Sequence, residues 1–368
     1  MKYYIIAGEA SGDLHGSNLV RELKNLDAAA TVRAWGGDLM QAAGANIVKH
    51  YRDLAFMGFT EVIRNLPTIL DNLRFCKKDI QEFAPDVLVL VDYPGFNLRI
   101  AKWAREQGLR IIYYISPQVW AWKEGRVRSI KKVVDKMLVI LPFEQDFYKK
   151  WDYSVVYVGH PLVQVVNEFR ENNPAPDEKK VIALLPGSRR QEVSKKLPLM
   201  LAATRAFPGE RFVVAKAGSL DDAFYEGFLN GYPNVESIRH QTYAVLNGAK
   251  AALVTSGTAT LETALFGVPE VVCYKGSSIS YQIAKRLIKI KYISLVNLIM
   301  DRPVVTELIQ DQLTVPNIER ELGALLHDRA RQERIQKDYA ELRSLLQQQS
   351  NASARAAQEI IGFLQANA

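Results

Sequence analysis

Val254-Thr255-Ser256-Gly257-Thr258-Ala259-Thr260-Leu261-Glu262 carries a short apolar strand through a turn of small residues into a helix with an early glutamate. Strand, small-residue turn and helix in that order form the repeating unit of a parallel α/β sheet. At such a turn, freed backbone N–H groups meet the positive end of the helix. A diphosphate is favoured there by roughly 0.3–1 kcal/mol per charge–dipole contact. Glu262 follows about a turn and a half later, within reach of ribose hydroxyls, so the stretch suits a nucleotide sugar. Taken alone it reads equally as a Thr-capped helix packed on a sheet, because Ser, Thr and Gly are ordinary helix-start residues.

Working outward, apolar runs at 3–7, 31–34, 87–91, 110–115, 136–140 and 155–158 alternate with helical periodicity. Prolines and charges then break the pattern at 172–180. A second series follows at 181–185, 212–215, 251–255 and 270–274. Continuous rather than alternating apolar strands imply a parallel sheet covered on both faces. The expected fold class is therefore α/β, with two Rossmann-like domains facing one another across a cleft. The first would span 1–170 and the second 171–345. Residues 346–368 would form a helix that can cross back to the first domain or mediate a homodimer.

The 368 residues, 48% hydrophobic and 24% charged, suit a globular protein with a large core. No apolar run approaches the roughly 18–20 residues that span a bilayer, and Lys2-Tyr3-Tyr4-Ile5-Ile6 opens the first strand at once, so a cytoplasmic location is expected. Forty-seven Lys and Arg against 40 Asp and Glu give a net charge of +7, which favours anionic partners. With no nucleic-acid reader motif or zinc-finger spacing, sugar or lipid phosphates fit better than nucleic acid. Cys76 and Cys273 fall outside any metal-ligand spacing and read as incidental reduced thiols.

Four further segments carry chemistry. Gly8-Glu9-Ala10-Ser11-Gly12-Asp13-Leu14-His15 follows the first strand without G-x-G-x-x-G spacing, yet its glycines let backbone approach a ligand. There Glu9, Asp13 and His15 read either as sugar contacts or as a capped helix start. Asp92, in Val91-Asp92-Tyr93-Pro94-Gly95, stands where an apolar strand ends, the place where open α/β sheets keep catalytic groups. It is a candidate general base, or simply a turn-initiating Asp. Trp120-Ala121-Trp122-Lys123, with Arg126 beyond, suits an amphiphilic acceptor bearing a phosphate, or a core aromatic pair beside a solvated helix. Finally, Pro186-Gly187-Ser188-Arg189 ends the second domain's first strand, where an arginine fork can neutralise a diphosphate.

In combination and in order, Gly8-Glu9-Ala10-Ser11-Gly12-Asp13, Phe56-Met57-Gly58, Val119-Trp120-Ala121-Trp122, Pro142-Phe143-Glu144, Gly159-His160-Pro161, Leu185-Pro186-Gly187-Ser188-Arg189, Ser256-Gly257-Thr258-Ala259 and Ser294-Leu295-Val296-Asn297-Leu298 resemble the lipid-A-disaccharide synthase family over almost the whole chain. The resemblance implies an inverting glycosyltransferase of the GT-B type. Such an enzyme joins UDP-2,3-diacylglucosamine to 2,3-diacylglucosamine 1-phosphate (lipid X) and releases UDP. By the same resemblance Asp92 is the catalytic base and Arg189 stabilises the departing UDP. Ser188, Ser256, Gly257, Thr258 and Glu262 hold the nucleotide, with Asn297 and Glu9 as further sugar or nucleotide contacts.

No D-x-D flanked by an apolar strand occurs, so no metal or other cofactor is expected. Both implied substrates carry acyl chains, which calls for peripheral docking on the cytoplasmic leaflet of the inner membrane. Val62, Ile63, Leu66, Ile69, Leu70 and Leu73 recur at helical spacing beside Arg64 and Arg74. That stripe suits an interface, although amphipathic helices more often face a core. The basic stretch 285–291 could assist. Other readings are a UDP-N-acetylglucosamine 2-epimerase, a peptidoglycan glucosaminyltransferase, or a nonenzymatic nucleotide-sugar binder in which Asp92 is only a cap.

Overall fold

Val87-Leu88-Val89-Leu90-Val91 is buried along its whole length, as a strand must be when helices cover both faces of its sheet. A computed structural model of the chain describes residues 1–54, 66–218, 220–276, 290–347 and 351–367. It comprises two units, Met1–Pro161 with Gln348–Ala368, and Leu162–Gln347.

The first unit follows the chain as β1 (Lys2–Ala7), α1 (Ala10–Leu26), β2 (Thr31–Gly36), α2 (Asp38–Ala42), β3 (Asn46–His50), α3 (Leu66–Phe83) and β4 (Val87–Val91). It continues with α4 (Pro94–Glu106), β5 (Ile111–Tyr114), α5 (Val127–Val133), β6 (Lys136–Val139), α6 (Glu144–Lys149) and β7 (Val156–Tyr157). The strands form one parallel sheet in the order β3-β2-β1-β4-β5-β6-β7. The direction of strand progression therefore reverses between β1 and β4. Crevices for ligands open at such a switch point, outside the carboxyl ends of the strands.

Asp13 is engaged by backbone donors of a neighbouring element. Its carboxylate accepts the N–H groups of Gly37 at 2.8 Å, Leu39 at 3.1 Å and Met40 at 3.0 Å. It caps not its own helix but the start of α2, where a negative charge is favoured. His15 is likewise buried, and burial pushes its pKa down to about 4. A neutral imidazole inside the unit is the result.

The second unit contains α7 (Pro161–Asn172), β8 (Val181–Leu185), α8 (Arg190–Thr204), β9 (Arg211–Lys216), α9 (Asp222–Leu229), β10 (Val235–Arg239) and α10 (Thr242–Asn247). After these come β11 (Ala249–Thr255), α11 (Thr258–Leu265), β12 (Glu270–Tyr274), α12 (Leu295–Met300), β13 (Thr306–Ile309), α13 (Val315–His327) and α14 (Arg329–Gln347). Its parallel sheet runs β10-β9-β8-β11-β12-β13, with its switch point between β8 and β11. The division between units falls at 161/162 rather than after 170, because α7 sends Leu162, Val163 and Val166 into the second core.

Ile318, Leu322 and Leu325 of α13 and Ile335, Tyr339, Leu342 and Leu346 of α14 are buried at helical spacing in that same core. The last helix, α15 (Ala352–Ala366), belongs to the first unit. It buries Ala356, Ala357, Ile360 and Leu364 and packs along α1. Asn351 caps it by accepting the Ala354 N–H at 2.9 Å. Both cysteines are buried free thiols. Burial pushes Cys273 up to about 12 and raises Cys76 strongly, so neither is a ready nucleophile.

Candidate functional site

Each switch point holds its own cluster of predicted site residues. In the first unit, β4 ends at Val91, and Asp92 and Tyr93 both take left-handed backbone, with φ of 45° and 47°. For residues with a Cβ this costs about 1–2 kcal/mol apiece and persists only where surroundings over-determine it. Here the Asp92 N–H donates to Tyr114 O at 3.1 Å. The Asp92 carbonyl accepts from Asn97 Nδ2 at 2.8 Å and from the Tyr113 hydroxyl at 2.5 Å. Asn97 is fully buried and also donates to Val91 O at 3.2 Å.

The turn thus presents the Asp92 carboxyl at the end of the sheet. Burial pushes its pKa up to about 7, with the negative charge of Glu9 adding to the effect. Glu9 stands at the N-cap of α1, immediately after the β1 strand end. The structure therefore brings the predicted Asp92 and Glu9 together. A carboxyl titrating near neutrality is suited to general base work.

The tryptophan pair divides. Trp120 is buried, edge-on to Phe143 with ring centroids 5.0 Å apart, and is core. Trp122 is 43% exposed. Lys123 Nζ lies 4.3 Å and the Arg126 guanidinium 5.5 Å from its ring. Only the second tryptophan, with Arg126, remains a candidate surface contact.

Along α3, Leu70 and Phe75 are exposed and Ile69 is half-buried. Arg74 lies between them and pairs with Asp71 at 3.0 Å. Val62, Ile63 and the Leu66 side chain lie outside the described residues, as do 56–58 and most of 285–291.

In the second unit, β8 leads into Pro186-Gly187-Ser188-Arg189 and β11 into Ser256-Gly257-Thr258, on neighbouring strands. Gly187 has φ +119°, a backbone that favours glycine, and a Cβ there would lie 2.5 Å from Glu192 Oε2, the movable end of that side chain. Gly257, at φ +141°, is the N-cap of α11. Ser256 Oγ donates to Ile293 O at 2.8 Å. Ser188, Arg189, Gly257 and Thr258 are exposed at the two strand ends. Glu262 accepts the Tyr243 hydroxyl at 2.9 Å, and burial raises its pKa.

Asn297 lies inside the second unit. It is 1% exposed, and its amide donates to Val305 O at 2.9 Å and Glu307 Oε1 at 3.0 Å while accepting the Val305 N–H at 2.9 Å. In the described geometry this side chain ties the α12 helix to the start of β13.

Sequence reasoning passed over Asn97 and Tyr113, which hold the Asp92 turn, and Glu192 and Lys196, which lie behind the Gly187 turn. Asn97, Glu192 and Lys196 stand one or two helical turns beyond a strand end, where a polar residue gives no signal distinct from a solvated helix face, and Tyr113 lies inside the apolar run of β5.

A family model described as lipid-A-disaccharide synthetase matches residues 3–361. The lipid-A-disaccharide synthase of Trichlorobacter lovleyi is 40% identical over 335 residues, covering 88% of each chain. That of Geobacter metallireducens is 39% identical over 353 residues, covering 93% of this chain and 92% of the relative. Among solved structures, UDP-GlcNAc 2-epimerase from Neisseria meningitidis bound to UDP-GlcNAc superposes with a TM-score of 0.70 at 12% identity, over 98% of this chain and 100% of that one. The glycosyltransferase of kitacinnamycin gives 0.68 at 17% identity over 99% of both. At these identities the structures speak for the two-Rossmann fold alone.

Proposed function

Because the chain belongs to the lipid-A-disaccharide synthase family of glycosyltransferases, which makes the lipid A disaccharide from lipid A precursors, we propose that it condenses UDP-2,3-diacylglucosamine with lipid X by single-step inversion. Asp92 takes the proton of the acceptor 6-hydroxyl as that oxygen attacks C1 of the donor. The bond from C1 to the phosphate oxygen breaks, UDP departs with the electron pair, and a β-1,6 linkage forms. General base catalysis of this kind contributes about 10²–10⁴-fold in rate. Arg189, exposed at the β8 strand end, meets the charge developing on UDP, and the α11 start supplies further backbone donors. No enzymic nucleophile takes part.

The observation that supports this reading most is the Asp92 carboxyl, held by a strained turn at a switch point and pushed up to about 7. A base needs a pKa near working pH, and burial at this strand end moves the carboxyl that way.

On this reading Ser188, Ser256, Gly257, Thr258 and Glu262 hold the nucleotide, and no divalent metal is used, because the chain supplies its own positive charge. The protein works at the cytoplasmic face of the inner membrane. Exposed Leu70 and Phe75 beside Arg74, and Trp122 with Lys123 and Arg126, provide apolar and basic contacts for it. No described helix is long and apolar enough to cross a bilayer. The test is UDP release from purified protein, which should require both substrates together. Release from the donor alone, unaffected by lipid X, would overturn the reading.

A further inference from the structure

Lys196 is a charged side chain with no part in the proposed reaction steps, and it is 2% exposed. It lies on the inward face of α8, and its ammonium donates to Thr255 Oγ1, the last residue of β11. The nearby carboxylate is Glu192, with Oε2 at 4.0 Å, too far for a hydrogen bond. Glu192 is also shared, since Arg189 approaches its other oxygen at 3.4 Å. One carboxylate between two cations leaves this trio with a net positive charge. Cys273, which also feels the ammonium, stays a neutral thiol with its pKa pushed up to about 12.

A buried ammonium is costly unless well paired, by several kcal/mol in effective terms. Here burial outweighs Glu192 and lowers the lysine's pKa. Meanwhile the backbone of the Gly187 turn passes directly over the pair: a Cβ on Gly187 would lie 3.5 Å from Lys196 Nζ. Lys196 therefore touches both switch-point strand ends of the unit, β11 through Thr255 and the β8 turn from beneath.

We propose that Lys196 is a positioning residue for the donor's diphosphate: acting through Thr255 and Glu192, it fixes the two anion-binding turns against each other and leaves under them a positive charge that only the bound diphosphate completes. This rests on the nucleotide-sugar reading of the second unit. A lysine that merely props the turns would act on every nucleoside ligand alike. One whose charge is matched to phosphate acts in proportion to the phosphates present.

The experiment is calorimetric titration of UDP, UMP and uridine into native protein and into Lys196→Met and Lys196→Gln. Methionine fills the space without charge, and glutamine keeps a donor for Thr255, so one folded variant suffices. Each variant should bind UDP at least about tenfold more weakly (~1.4 kcal/mol), bind UMP less weakened than UDP, bind uridine as the native protein does, and melt no lower. Unchanged UDP affinity, or equal losses for UDP and uridine, would overturn the assignment. Native protein that binds uridine nucleotides not at all would remove the nucleotide-sugar reading itself, and this inference with it.

Discussion

The ring of Tyr93 fills the space that a side chain on Gly8 would occupy: a Cβ there would lie 2.3 Å from Tyr93 Cδ1. The β1 strand end and the β4 strand end are thereby packed face to face, and Asp92 is carried on the turn so fixed. Gly8→Ala must displace either the ring or the left-handed pair. It should destabilise by about 1–3 kcal/mol, as overpacking does. Turnover should fall more than tenfold, because the Asp92 carboxyl moves with its backbone. Thermal melting and initial rates check both, and a variant with native Tm and native rate would show that the turn is not so constrained.

On the proposed mechanism the Asp92 carboxyl should set the pH dependence of the reaction. A base is active when ionised, so kcat/KM should rise with pH and level off above about 7. Glu144 is also pushed up to about 7 by burial, so the profile alone does not assign the group. Glu9→Gln does: removing the neighbouring negative charge lowers the Asp92 pKa and shifts the acid limb to lower pH. A limb that stays in place would point away from Asp92.

Stability should report the same carboxyl with the opposite sign. A carboxyl whose folded pKa is raised contributes stability fully below its unfolded pKa, and this is lost as pH rises through the folded value. For Asp92 the loss occurs between about pH 4 and pH 7. Asp92→Asn should therefore melt a few degrees higher than native protein at pH 8 and about equally at pH 4. Melting scans at the two pH values decide.

Membrane docking predicts that native protein floats with vesicles containing anionic phospholipid and is released by salt, because exposed-charge attraction is screened. Leu70→Asp with Phe75→Asp should abolish flotation while leaving the protein folded, with at most a modest fall in melting temperature because the Phe75 ring also packs on Trp35 at 6.0 Å. Flotation that survives the double substitution would assign docking to another surface.

The chain's own cations make a divalent metal unnecessary on this account. Activity should persist in excess EDTA. Loss on chelation that Mg²⁺ or Mn²⁺ restores would place a metal in the mechanism.

The central strands were legible in the sequence because a strand buried on both faces reads as an unbroken apolar run. β1, β4, β8 and β11 are such runs, and they set the switch points where Asp92 and the Ser256 turn sit. The strands that escaped notice, β3, β10 and β13, all lie at sheet edges. Each is at best half-buried along most of its length, so Asn46–His50 and Val235–Arg239 mix apolar with charged or polar residues. The same logic explains Trp120 and Trp122: two positions apart in sequence, they differ in burial through tertiary packing on Phe143, which no local pattern encodes. Lys196 was hidden as one of two adjacent lysines, of which one faces inward.

The most direct measurement is mass spectrometry of the products formed from UDP-2,3-diacylglucosamine and lipid X in detergent micelles by native protein and by Asp92→Asn. A tetraacyl disaccharide 1-phosphate from the native protein, with yield from the UDP-binding Asn variant reduced by about 10²-fold or more, is the predicted result. No disaccharide from folded, UDP-binding native protein, or equal yields from both, would contradict the account.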